Sequence, residues 1–195
     1  MSVKESKMLA KNLLLAAVIA SSSLVGSSVA VAHDDLETVP FVDKDKYLGK
    51  WVAHKSLKLF FNRRCDGETA EYGVKDDGNI SVLNKCWDED GDFRAQTGTA
   101  VIVDPVTNAK LEVTFDRWYS RILGIKGDYQ VLALTEDEQG EYSHVMIGSA
   151  NRRSLWLMSR DGTYPDDILN EYLDNAESQG FDTGELVDNI IPDHL

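Results

Sequence analysis

The sequence of 195 residues carries 33 acidic against 20 basic side chains, a formal net charge of −13. A chain this acidic stays soluble through self-repulsion and lacks the basic surface that non-specific nucleic-acid binding requires. Its length suits one domain with a real core once an export segment is set aside.

Residues 1–32 read as that export segment. Lys4, Lys7 and Lys11 form a basic start, Leu13 to Ile19 an apolar run, and Ala30-Val31-Ala32 a small-x-small cleavage pattern. Ser21, Ser22, Ser23, Ser27 and Ser28 dilute the apolar run, which argues against a retained membrane span. Cleavage after Ala32 leaves 163 residues (195 less 32). Their net charge is near −15, because the segment itself carries +2, three lysines against Glu5.

Residues 33–46 are polar, contain Pro40 and read as an extended N-terminal arm. Beyond them, short apolar runs alternate with turn signals, the pattern of an antiparallel sandwich or barrel. Strands are predicted at 49–57, 68–75, 79–86, 94–103, 109–116, 127–135, 142–149 and 154–160. Asp76-Asp77-Gly78 is a hairpin signal between the second and third. Asp104-Pro105-Val106-Thr107-Asn108 turns the fourth into the fifth. The rhythm changes at Pro165, a residue favoured at the first helical position, with Asp166 and Asp167 suited to a helix N-terminus. Ile168, Leu169, Tyr172, Leu173 and Ala176 then repeat on one face, and Gly180 is a natural stop.

Cys65 and Cys86 flank the predicted hairpin. In an exported protein they are expected to pair, closing a loop of about 20 residues worth about 3 kcal/mol in the chain-entropy model. The alternative is a reactive thiol. His33, His54, His144 and His194 show no metal-ligand spacing. Asp88, Asp90 and Asp92 begin like a calcium loop, but Phe93 and Thr99 stand where such a loop needs Gly and Glu, so a solvated turn is expected. There is neither a nucleophile elbow with a Ser-His-Asp order nor a phosphate loop, and no cofactor is expected.

Several blocks carry a resemblance in their order: Tyr47-Leu48-Gly49-Lys50-Trp51, Thr69-Ala70-Glu71-Tyr72, Asp76-Asp77-Gly78 and Ile80-Ser81-Val82-Leu83-Asn84. Gly127-Asp128-Tyr129-Gln130-Val131-Leu132-Ala133-Leu134 and Gly180-Phe181-Asp182 continue it. Together they resemble the lipocalin family, in particular the bacterial outer-membrane lipocalins and their apolipoprotein-D-like relatives, from about Val42 to Leu186. The resemblance implies an all-β fold: an eight-stranded antiparallel up-and-down barrel with one C-terminal helix packed outside. The lipocalin domain is placed at 47–187, with a C-terminal tail at 188–195. Gly49 would free the backbone ahead of Trp51, and Arg160 would lay its guanidinium over the indole to plug the barrel floor. Bacterial members often carry a lipidated Cys just after the signal; here His33-Asp34-Asp35 follows, so a soluble periplasmic or secreted protein is expected rather than one anchored to the outer membrane.

Strand alternation, anchored at Trp51 and Arg160 and set elsewhere by the resemblance, points one residue in two inward. The ligand-binding set so obtained is Ala70, Tyr72, Val82, Asn84, Gln96, Val113, Phe115, Tyr129, Met146 and Trp156, with Gly98, Ala100, Leu111, Val131, Ala133 and Met158 on the same face. A mostly apolar lining with sparse polar groups suits a small hydrophobic ligand. The small residues Ala70, Gly98, Ala100 and Ala133 predict an open cup. Burial of an acyl chain at about 0.8 kcal/mol per methylene suits a fatty acid or lysophospholipid, ligands the resemblance also implies. Around the mouth, Phe60, Phe61, Arg63, Arg64, Trp118 and Arg121 form a rim for a membrane surface or an anionic headgroup. The alternative is that its apolar residues fold back over the pocket, and Asp88 to Asp92 adds acid to the same end. The function expected is binding, storage or transport of a hydrophobic ligand in the cell envelope, by a monomer or homodimer, during membrane maintenance. Two alternatives are a lipid- or isoprenoid-modifying enzyme using a cavity-facing Cys65, and a protein-interaction module built on a filled barrel.

Overall fold

The computed structural model describes residues 35–117, 124 and 126–190. The export segment, Trp118 and Arg121 lie outside the described residues. Eight strands follow in order: β1 (Gly49–Leu57), β2 (Gly67–Val74), β3 (Ile80–Trp87), β4 (Phe93–Ile102), β5 (Lys110–Phe115), β6 (Lys126–Glu136), β7 (Tyr142–Gly148) and β8 (Leu155–Ser159). Each pairs antiparallel with the next, and β1 closes the barrel against both β8 and β2. Every predicted strand is present with its bounds shifted by two residues at most.

Three elements were not anticipated. The arm is not extended throughout, because Lys44–Tyr47 forms a one-turn helix, α1, with the Asp43 carboxylate accepting from the Asp45 N–H at its start. A 3₁₀ turn follows the main helix at Thr183–Glu185, and it leads into a three-residue strand, β9 (Leu186–Asp188). β9 pairs with Lys55, Ser56 and Leu57 on the edge of β1 that β2 occupies only as far as Val52. Beyond it, Asn189 N–H donates to His54 O and Ile190 N–H to Asp66 O, so the chain's last described residues stitch β1 to the start of β2.

The interior packs in two layers. Inside the barrel lie Trp51, Ala53, Ala70, Tyr72, Val82, Ala100, Val113, Val131, Val145, Ile147 and Met158. Outside it, α2 (Asp166–Ser178) lays Tyr172 and Ala176 over Leu132, Met146, Leu155 and Leu157. Pro165 sits at the N-cap of α2 rather than inside it. The Tyr172 hydroxyl anchors the helix, 2.8 Å from Thr135 Oγ1 and 3.3 Å from His144 O.

Tyr164 bridges the end of β8 to this outer layer. It stacks on His54, with ring centroids 5.2 Å apart, and meets His144 edge-on at 4.8 Å. Burial lowers the pKa of both histidines from 6.5; Asp161 and Asp167 act in the opposite direction on His144, as Asp188 does on His54. A histidine whose folded pKa lies below its unfolded one contributes full stability above about pH 6.5 and loses it as pH falls through the folded pKa, because the unfolded chain binds more protons. Urea unfolding at neutral pH and at about pH 5 is therefore expected to show a steeper loss in wild type than in a His54→Phe/His144→Phe variant. Equal slopes would refute this role for the pair.

Candidate functional site

The floor is built from the arm and the end of β8. Trp51 is fully buried, and the Arg160 guanidinium carbon lies 3.7 Å from the centre of its ring. Arg160 donates to three carbonyls: Nη1 to Lys50 O at 2.8 Å, Nη2 to Lys46 O at 2.6 Å and Nε to Tyr142 O at 3.1 Å. The indole N–H donates to Tyr47 O at 3.0 Å. Gly49 takes φ +92°, a conformation open to glycine where the chain bends into β1. The arm is sewn on by Val42 N–H to Thr107 O at 2.7 Å and by Asn108 Nδ2 to Val42 O at 3.0 Å.

Above this floor the barrel is largely filled. The Tyr129 hydroxyl lies 2.6 Å from that of Tyr47 and 3.0 Å from that of Tyr72. Burial raises the pKa of Tyr47 and Tyr129 well above the usual phenol range and that of Tyr72 to about 12, so all three remain neutral donors. The Tyr129 ring keeps some exposure, but its hydroxyl is enclosed between two buried neighbours. The void among Val42, Tyr47, Tyr72, Leu111, Val113 and Val131 is about 20 Å³, room for little more than one water. The expected open cup is thus corrected at its base, which side chains fill. At Gly98, where a side chain was expected to be missing, the Phe115 ring lies 3.1 Å from the point a Cβ would occupy.

Nearer the mouth the inward residues are no longer sealed. Asn84, Gln96, Phe115 and Trp156 are half-buried, in contrast to Ala70, Val82 and Val113 below them. Ala70, Asn84 and Gln96 are cross-strand partners on one row. The Asn84 side-chain oxygen is buried without a hydrogen-bond partner among the described residues.

Two expected lining residues are elsewhere. A bulge in β6 between Val131 and Ala133 turns Ala133 outward, whereas Met146 lies on the outer face of a regular β7, whose Val145 and Ile147 pair with the inward Met158 and Trp156. Met146 is fully buried, but under α2, and the barrel's interior receives Val145 and Ile147 instead. Strict alternation fails at a bulge because the extra residue reverses every side chain beyond it.

One interior group was missed. Glu68 precedes Ala70 by two residues and shares its face. Its carboxylate accepts from Ser56 Oγ at 2.9 Å, Lys58 Nζ at 3.0 Å, Asn62 Nδ2 at 3.2 Å and Trp156 Nε1 at 3.3 Å. Lys58 also donates to Cys65 O and Asn189 Oδ1. This cluster ties the β1–β2 loop, the barrel wall and the segment after β9 together. Carrying the alternation one step below Ala70 would have found Glu68; its charge was the reason to leave it out.

Cys65 and Cys86 form a disulfide, so no thiol is available for chemistry in the cup. On the rim, Phe60 is 85% exposed and meets Phe61 edge-on at 5.4 Å, so these rings do not fold back over the pocket. Arg63 and Arg64 are exposed beside them. Other cations of this end are engaged: Lys55 with Asp188, Lys126 with Glu112 and Lys58 with Glu68. In the Asp88–Asp92 turn, the carboxylate of Asp88 accepts the Asp92 N–H at 2.9 Å.

Residues 42–190 match the family model described as a lipocalin-like domain. The outer membrane lipoprotein Blc of Vibrio cholerae is 32% identical over 155 residues, covering 79% of this chain and 85% of that protein. Its namesake from Escherichia coli K12 is 30% identical, covering 89% and 93%. Apolipoprotein D of Macaca fascicularis is 31% identical over 68% of each chain. Among solved structures, insecticyanin from the tobacco hornworm Manduca sexta superimposes with a TM-score of 0.60 over 82% of this chain and 86% of its own, at 18% identity.

Proposed function

The chain belongs to the lipocalin family, and we propose that this member binds and carries a single-chain hydrophobic ligand, a fatty acid or lysophospholipid, in the bacterial cell envelope. The observation that supports this most is the contrast within the barrel. Phe115 and Trp156 stand half-exposed at the mouth end, above a base closed by Tyr47, Tyr72 and Tyr129. A ligand's tail would lie against those two rings and stop at the tyrosines, so the cup is shallow. Its lining is drawn from Ala70, Val82, Asn84, Gln96, Phe115, Tyr129 and Trp156. The outer membrane lipoproteins among its relatives favour an envelope location. Release of residues 1–32, with no acylated Cys at the new N-terminus, would leave this protein soluble in the periplasm.

Phe60, Phe61, Arg63 and Arg64, together with Trp118 and Arg121, would bring the mouth against an anionic membrane where ligand is collected. Role in membrane upkeep follows from that position, and non-enzymatic carriage fits the paired cysteines. Native mass spectrometry of protein taken from its own envelope fraction is the test. A retained single-chain lipid is expected, lost on substitution of Phe115 and Trp156 by charged residues in a chain that still folds. Protein that emerges free of lipid, and that neither quenches Trp156 nor shifts in mass with added lysophospholipid, would overturn the reading.

A further inference from the structure

We propose that the upper cup selects lipids whose buried polar group is uncharged and hydroxyl-bearing, such as a monoacylglycerol, and that Asn84 and Gln96 are the residues that make this selection. The inference rests on the carrier reading above and names the ligand class within it.

Asn84 and Gln96 are direct partners across β3 and β4, on the row that contains Ala70. Opposed amides in this position could bond to each other. They do not, and neither has any hydrogen bond to a described residue, while the Asn84 oxygen is shut off from water. A buried amide oxygen without a partner costs about 1–3 kcal/mol. Both residues are half-buried, and an amide turned toward the mouth offers two donors and an acceptor, which a group that both gives and takes a hydrogen bond would satisfy, removing that cost. A hydroxyl is such a group; a carboxylate is acceptor alone.

The charges around the row point the same way. Among the described residues, the cations that reach the barrel's interior are already engaged. Lys58 is 3.0 Å from the Glu68 carboxylate, and Arg160 is held by three carbonyls at the floor. Arg94, on the inward face at the rim, is exposed and 4.0 Å from Asp88. A carboxylate lowered to Asn84 would therefore be desolvated without a counter-ion, beside a neighbouring strand, β2, that already holds Glu68 one row nearer the mouth. Burying an unpaired charge costs far more than burying a hydroxyl that finds its hydrogen bonds.

The test compares two lipids of one chain length, monolauroylglycerol and laurate, each below its micelle concentration at neutral pH. Both are titrated against the exported, delipidated protein with its disulfide intact, by displacement of the apolar fluorophore N-phenyl-1-naphthylamine. Wild type is expected to bind the glyceride about tenfold more tightly than laurate, the scale on which a site built for hydrogen bonding rejects a mismatched group. With fluorophore affinity measured separately for each protein, an Asn84→Leu/Gln96→Leu variant should unfold at no lower urea concentration than wild type, yet bind the two lipids alike. Laurate binding as tightly as the glyceride in wild type, or a preference that survives in the leucine variant, overturns the selection while leaving a carrier. Wild type that binds neither fluorophore nor lipid overturns the carrier reading and this one with it.

Discussion

Glu68→Ala is expected to lower the unfolding free energy by about 3–5 kcal/mol, the range seen when one partner of a buried ion pair is removed. The pair qualifies as buried, since the side chains of Lys58 and Glu68 are 16% and 13% exposed. The substitution leaves the Lys58 ammonium beside Cys65 O and Asn189 Oδ1 with no counter-charge. It also removes the acceptor for Ser56, Asn62 and the Trp156 indole. A second variant separates the cost of a stranded charge from the value of the pair. Glu68→Leu with Lys58→Met should recover most of the loss, because replacing both members by apolar groups of similar size avoids the unpaired ion. Urea denaturation at neutral pH reads both, and Trp156 emission should change in both because its N–H loses the same acceptor. A Glu68→Ala midpoint equal to wild type would show that the cluster does not hold the mouth together.

Arg160→Ala is the second large effect, an expected loss of about 3 kcal/mol. Cation–π contact with a desolvated indole contributes about 2 kcal/mol at most, and hydrogen bonds from a charged donor about 1.5–3 kcal/mol each before water replaces part of them. Lys50 O, Lys46 O and Tyr142 O would all lose their guanidinium donor. These carbonyls belong to β1, α1 and β7, so one side chain joins the arm to both walls of the barrel. Arg160→Lys keeps the charge but not the planar fork, and one ammonium cannot reach three acceptors in that geometry. It should therefore recover less than half of the loss. Guanidinium denaturation followed by the near-ultraviolet signal of Trp51 measures both variants. If Lys restores wild-type stability, charge alone matters at the floor and the fork does not.

The barrel was legible in the sequence because its signals are local. Turn chemistry such as Asp76-Asp77-Gly78 and alternation along each strand depend on residues near one another, and they placed all eight strands. The plug was legible through the family resemblance, which set Trp51 and Arg160 together at one end of the barrel. What escaped depended on distant residues. The bulge beyond Val131 has no composition of its own, and with it went the side-chain direction of Ala133; Met146 was given the wrong face of a regular β7, which the pairing of Val145 with the inward Met158 fixes. The open cup was inferred from small residues on three strands, Ala70, Gly98, Ala100 and Ala133, but Phe115 fills the gap at Gly98, and the arm inserts Val42 and Tyr47 from below. Volume in a barrel is decided by which side chains lean across it, and no single strand records that. Glu68 was hidden for a different reason: a carboxylate reads as surface until its donors are known, and those come from β1, the loop after it and β8.

The seam between β1 and β2 carries a kinetic implication. Its upper part is completed by residues from Leu186 onward, with Asn189 Nδ2 reaching Ser56 Oγ across a sequence separation of 133. Ordering so long an intervening loop is entropically unfavourable until the rest of the wall exists. Completion of this seam should accordingly be among the last folding steps, awaiting the residues from Leu186 to Ile190. A chain truncated ahead of Leu186 would present a gaping strand edge, a template for self-association, beside the β1–β2 loop at the mouth of the barrel.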